Sequence, residues 1–178
     1  MELLTGSAIH EEVIEKGAKL VRQSLWLATA NVKDMHLGLD DHVGSVVELF
    51  ADLCQRRVEI RLLHSGVPSD PFLAELKKYH QRLPDDFFQM RRCPRVHFKM
   101  ILLDCRRLYL GSANLTGAGI GIRSEGRRNF EMGILTDNGQ AIDEAAEYFI
   151  NVWDGNACRA CRLKKHCPVP LAGPLAPA

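Results

Sequence analysis

The sequence predicts an α/β fold, a single domain built on a mixed or largely parallel sheet flanked by helices on both faces. Three observations predict it. Short apolar runs bounded by turn-type or charged residues recur along the chain, as buried strands do. Amphipathic stretches of about ten to fifteen residues separate them, as crossover helices do. The length of 178 residues suits one core that buries roughly 70% of the unfolded surface.

In chain order, Ser7 is placed to cap a first helix, with Glu11 and Glu12 near its first turn. Ile9, Val13, Ile14, Ala18, Val21 and Leu25 follow at helical spacing and form one apolar stripe. Residues 25–30, LWLATA, read as a buried strand. Asn31, Lys33, Asp34 and His36 then form a polar loop that either borders a cleft or lies on the surface. Residues 44–53 read as a second amphipathic helix through Val46, Val47, Phe50 and Leu53, and residues 58–63 as the next strand. Asp70 is placed to cap a third helix with Pro71 at its first position, running to about His80. Residues 87–90 suggest an edge strand.

Residues 96–114, VHFKMILLDCRRLYLGSAN, organise the rest. They read as two short strands, 100–103 and 108–110, with polar residues at the outer ends. His97 and Lys99 are two apart, so an extended chain projects them from one face. Asp104 closes the first strand, and Gly111, Ser112 and Asn114 follow the second. An imidazole, an ammonium, a hydroxyl and an amide gathered at one point suit a phosphodiester: a nucleophile or base beside donors to anionic oxygens. Beyond them, 116–122 is glycine-rich. Glu131 precedes an apolar strand, MGIL, and Asp137 with Gln140 forms a capping pair. The final helix turns Ile142, Ala145, Phe149 and Trp153 to the core.

This arrangement, His-x-Lys-x4-Asp followed by Gly-Ser-x-Asn, resembles the motif of the phospholipase D superfamily without departure. The resemblance implies a catalytic domain over 1–155 with His97, Lys99, Asp104, Ser112, Asn114 and Glu131 in its site. His97 would attack phosphorus and become a phosphohistidine. Glu131 would hydrogen-bond the imidazole, fixing its tautomer and stabilising its charge, and Asp104 would orient the lysine or a loop. The chemistry implied needs no metal or other cofactor. It does need two motif halves, and His10, His36, His42, His64, His80 and His166 all lack a lysine two residues on. A homodimer sharing one site across a two-fold axis supplies the second half.

Net charge is +1, but its distribution is uneven: residues 1–90 hold ten Lys/Arg against fourteen Asp/Glu, and 91–130 hold nine against two. The excess comprises Lys99 with Arg91, Arg92, Arg95, Arg106, Arg107, Arg123, Arg127 and Arg128. Arg95, Arg127 and Arg128, with Gly111, are the substrate-binding candidates. Such a patch attracts nucleic acid or an anionic lipid surface. The leading expectation is an endonuclease. The alternatives are a phospholipase D or cardiolipin-type phosphatidyltransferase, and an inactive nucleic-acid-binding module. No apolar run approaches the roughly 20 residues of a membrane span, and the N-terminus lacks the order of a signal peptide; the expected location is cytoplasmic.

Residues 156–168 form a cysteine-rich extension and 169–178 a Pro/Ala tail expected to be flexible. Six cysteines without an export signal argue against a disulfide framework. Cys158, Cys161 and Cys167 form C-x2-C-x5-C, one ligand short of a closed site. Cys93 is the best fourth ligand, with His166 the alternative. Structural zinc is the first expectation. The spacing is also similar to the C-terminal cysteine triplet of iron–sulfur exonucleases of the RecB type, which keeps an iron–sulfur cluster open. Cys54 and Cys105 read as ordinary buried thiols.

Overall fold

A computed structural model describes residues 1–39, 41–169 and 171; the remainder of the expected tail lies outside the described residues. Its framework is a mixed seven-stranded sheet. The strands are β1 (Glu2–Thr5), β2 (Ser24–Thr29), β5 (Glu59–His64), β6 (Phe88–Arg92), β7 (Lys99–Leu103), β8 (Arg107–Gly111) and β9 (Met132–Thr136). Their order is β1-β9-β8-β7-β2-β5-β6. Only the β2/β5 and β5/β6 pairs are parallel; the other four are antiparallel. The sheet is therefore mixed, and β6 lies at the predicted edge. β1 was not anticipated. Its register against β9, Leu4 opposite Gly133, buries Leu4.

Alternation along the strands sends side chains to two cores. Leu25, Leu27, Ile60, Leu62, Ile101, Leu103 and Tyr109 face one side, under α2 (Val46–Gln55) and Phe72 of α3 (Asp70–Tyr79). On the other, Ala28, Leu63, Met100, Leu102 and Leu108 meet Ile142, Phe149 and Trp153 of α4 (Gly139–Trp153). Trp26, Phe149 and Trp153 stack at centroid spacings of 5.4 and 5.5 Å. Arg61 and Arg91 lie over the outer rings.

Several local expectations shift. The first helix is short: α1 (Ser7–Ile9) continues as a π-helical turn over His10–Glu15 and a 3-10 turn over Ala18–Leu20. Gly6 at φ 55° stands at its N-cap, so Ser7 lies inside rather than capping. Ser69, not Asp70, precedes α3, and its hydroxyl accepts the Asp34 N–H at 3.3 Å. The α4 cap is Asn138, whose Oδ1 accepts the Ala141 N–H at 2.9 Å, while Gln140 pairs with Glu144. His36 belongs to a hairpin, β3 (His36–Leu39) with β4 (His42–Ser45), not to a loop. Cys54 is buried as expected, and burial pushes its thiol up to about 11. Cys105 is exposed: it turns the β7–β8 hairpin at φ 50°, after Asp104 at φ 52°.

Candidate active site

Strand direction brings one rim together. β2, β5, β6 and β8 end there, at Thr29, His64, Arg92 and Gly111, and β7 begins there at Lys99. Open sheets bind ligands beyond such ends. His97, just before β7, is exposed. Lys99 Nζ curls back to donate to the His97 carbonyl at 2.7 Å, and Lys99 stands opposite Gly111 in the ladder. A Cβ on Gly111 would meet the Tyr109 hydroxyl at 2.4 Å and the Met132 carbonyl at 2.7 Å. Glycine is required there by that close approach. Tyr109 is fully buried, which pushes its phenol up to about 12.

Asn114 is locked by one atom. Its Oδ1 accepts from the Thr29 hydroxyl at 3.2 Å and from the Ala30 and Asn31 N–H groups, both at 3.1 Å. That arrangement turns its NH2 into the group available to an anionic oxygen. Thr29 also accepts the Leu115 N–H at 3.0 Å. This buried hydroxyl sets the amide's orientation across 85 residues of chain, and the sequence reading missed it. Its one local signal was a polar residue inside the apolar run LWLATA.

Ser112 and Glu131 form a pair of their own. The Ser112 hydroxyl donates to one Glu131 oxygen, and Asn129 Nδ2 donates to the other at 3.1 Å. The structure thus joins Glu131 to Ser112 and Asn129 rather than to the His97 ring. Residues 116–122 make successive turns beside Asn114, with Gly119 packed against its carbonyl.

Asp104 is elsewhere. It sits at the opposite end of β7 from Lys99, roughly 16 Å away at strand rise. There it accepts the N–H groups of Arg22 at 3.0 Å, Gln23 at 2.7 Å and Ser24 at 3.0 Å. Burial raises its carboxyl pKa, but the three backbone donors and Arg106 outweigh that and hold it below the usual carboxylate range. Of its two expected roles, orienting the lysine or a loop, the structure supports the loop: Asp104 fastens the segment leading into β2. Arg106 and Arg107 share this far end. The basic residues therefore divide, with Arg92 and Arg95 beside the rim and Arg123, Arg127 and Arg128 on the loop following Asn114. Arg91 leaves the patch to stack on Trp153 and donate to its carbonyl at 2.7 Å.

A family model described as cardiolipin synthase, PLD-like domain, matches residues 16–153. The chain belongs to the phospholipase D-like family. That family consists of phosphodiester hydrolases and transferases. Solved structures agree on the phospholipase D-like fold. A phospholipase D family member, Nuc from Salmonella typhimurium, is similar at 13% identity and TM-score 0.60, over 86% of this chain and 94% of that one. NucT from Helicobacter pylori is similar at 15% identity and TM-score 0.56, over 84% and 92%. Phosphatidylserine synthase from Haemophilus influenzae gives 16% identity and TM-score 0.56, over 84% of this chain but 38% of that one. No curated protein matches the chain in sequence. Among the described residues, no helix of this phospholipase D-like chain is long and apolar enough to cross a membrane.

Beside the rim, Cys93, Cys158, Cys161 and Cys167 line one pocket, and His166 is not part of its wall. Among the described residues, no three His, Cys, Asp or Glu side chains are gathered closely enough to hold a metal ion as they stand.

Proposed function

We propose that the chain is an endonuclease, cleaving nucleic-acid phosphodiester bonds as a homodimer through a phosphohistidine intermediate. One observation carries the reading: an exposed imidazole, an ammonium and an amide NH2 share a rim bordered by an arginine-bearing loop. Phe130 stands in that loop after Arg127 and Arg128, wholly exposed. Guanidinium groups neutralise successive phosphates, and an exposed ring gives a base something to stack on.

The second motif half comes from a second copy. Leu3, Ile134 and Leu110 form an exposed row across β1, β9 and β8, with Met132 alongside, on the α4 side of the sheet beyond the part that the helix covers. Pairing two such faces removes apolar surface from water. In the shared site, a His97 nitrogen attacks phosphorus as the bond to the leaving oxygen breaks, and the partner's His97 gives that oxygen its proton. The partner's imidazole, now neutral, takes a proton from water, which attacks phosphorus and releases the phosphate from His97. Lys99 and Asn114 of both copies, joined by the Ser112 hydroxyl once it turns from Glu131, offset the growing charge on the non-bridging oxygens.

The test sets single-stranded DNA, duplex DNA, RNA and phosphatidylcholine before wild type and His97→Ala, with EDTA present. Wild type is expected to cleave nucleic acid under EDTA, and the variant to do nothing. Choline release alone would replace the nuclease reading with a phospholipase, and nucleic-acid binding without turnover with an inactive module. Activity retained by His97→Ala refutes the mechanism for any substrate.

A further inference from the structure

Four of the six cysteines meet in one place although the sequence separates them by up to 74 positions. Cys93 follows β6, while Cys158, Cys161 and Cys167 lie in the turns after α4. All four line a pocket of about 40 Å³, and Pro94, Leu163, Val169 and Leu171 give the rest of its wall a largely apolar character. The other two cysteines stand apart, Cys54 in the core and Cys105 in the far hairpin turn.

The local backbone suits thiolate ligands. The Cys161 N–H bonds the Cys158 carbonyl at 3.2 Å, and the Lys164 N–H bonds the Cys161 carbonyl at 3.1 Å, so each of these cysteines opens a tight turn.

We propose that Cys93, Cys158, Cys161 and Cys167 bind one zinc ion as four thiolates. Thiolates select zinc, copper(I) or iron–sulfur clusters over the oxygen-seeking metals. Where one water needs roughly 10–15 Å³ of such space, the pocket as it stands is the size of a single ion with a few waters. Four protein ligands leave no open coordination position, so the ion is structural and not a reagent. Among the described residues no three His, Cys, Asp or Glu side chains converge on a point. Binding must therefore draw the sulfurs in to about 2.3 Å from the ion, a contraction left to the short turns of residues 156–167.

The ion would tie the C-terminal turns to the loop feeding the rim. Cys93 donates its N–H to the His64 carbonyl at 2.8 Å and accepts the Val96 N–H at 2.9 Å, and His97 is the next residue. Arg95 and Lys164, on the two tethered segments, would be held side by side.

The test measures metal by mass spectrometry in the full-length protein, purified reduced and without chelator. Wild type and Cys105→Ser are expected to carry about one zinc per chain. Cys93→Ser and Cys161→Ser should carry a tenth of that or less and melt at lower temperature. Should the variants fail to fold, Co2+ loaded into wild type is expected to show thiolate-to-cobalt charge-transfer absorption that zinc abolishes. Wild type lacking both zinc and that absorption would overturn the site. Full zinc in Cys93→Ser would overturn the four-thiolate set, and iron with equal sulfide would overturn zinc.

Discussion

The two ends of the β7–β8 hairpin share ten strand residues and have opposite chemistry. At the rim, His97 is exposed, and Asn114 is fastened through its oxygen with its NH2 turned outward. At the turn, three backbone N–H groups converge on the Asp104 carboxylate, leaving it little capacity for anything else. The motif reads as one continuous string, yet a five-residue strand carries its lysine and its aspartate roughly 16 Å apart. Residues that work at a site keep unspent hydrogen-bonding capacity; residues that build the site have theirs filled.

That contrast is open to breaking. The largest effect is expected from His97→Ala, which should lower phosphodiester turnover by roughly 10³-fold or more. Its stability should stay within about 0.5 kcal/mol of wild type, because the ring is exposed. Asp104→Ala should do the reverse. Losing a charged acceptor for three backbone donors should cost about 2–3 kcal/mol in urea unfolding, with turnover changed less than about tenfold. If Asp104→Ala instead silenced a stably folded protein, the division between the two ends would fail.

Gly133→Ala asks whether the rim also has a structural requirement. The added Cβ would sit 2.4 Å from the buried Tyr109 ring, so unfolding should show a loss of about 1–3 kcal/mol. A neutral result would mean that Tyr109 can yield.

The smallest effect concerns pH. The carboxyl of Asp104 is held low in the folded state. Its contribution to stability is therefore complete above the ordinary aspartate value, near pH 4, and lost as pH falls through the folded one. Unfolding curves taken down through that window should fall more steeply for wild type than for Asp104→Asn. Parallel curves would remove Asp104 as the cause.

Local pattern carried much of this molecule. Apolar runs located six strands of the large sheet within one or two residues, and the central ones, buried on both faces, leave an uninterrupted apolar signature. Caps slipped by one position at Ser69 and Asn138, where several adjacent polar residues can each serve and packing selects among them. The hairpin of β3 and β4 escaped because HLGL and HVGS are four residues each and carry a glycine, too short for alternation to stand out.

What the amino-acid order settled alone is whatever depends on neighbours a few positions away: the strands, the last helix and the grouping of His97, Lys99, Gly111 and Ser112 about one hairpin end. Strand order decided the rest. It set β1 against β9, made four of six pairings antiparallel and carried Arg106 and Arg107 away from the rim. It also brought Thr29 to Asn114 and Cys93 to the C-terminal cysteines. Periodicity reports which face of an element is buried, but not which distant element buries it; only the folded chain chooses that partner.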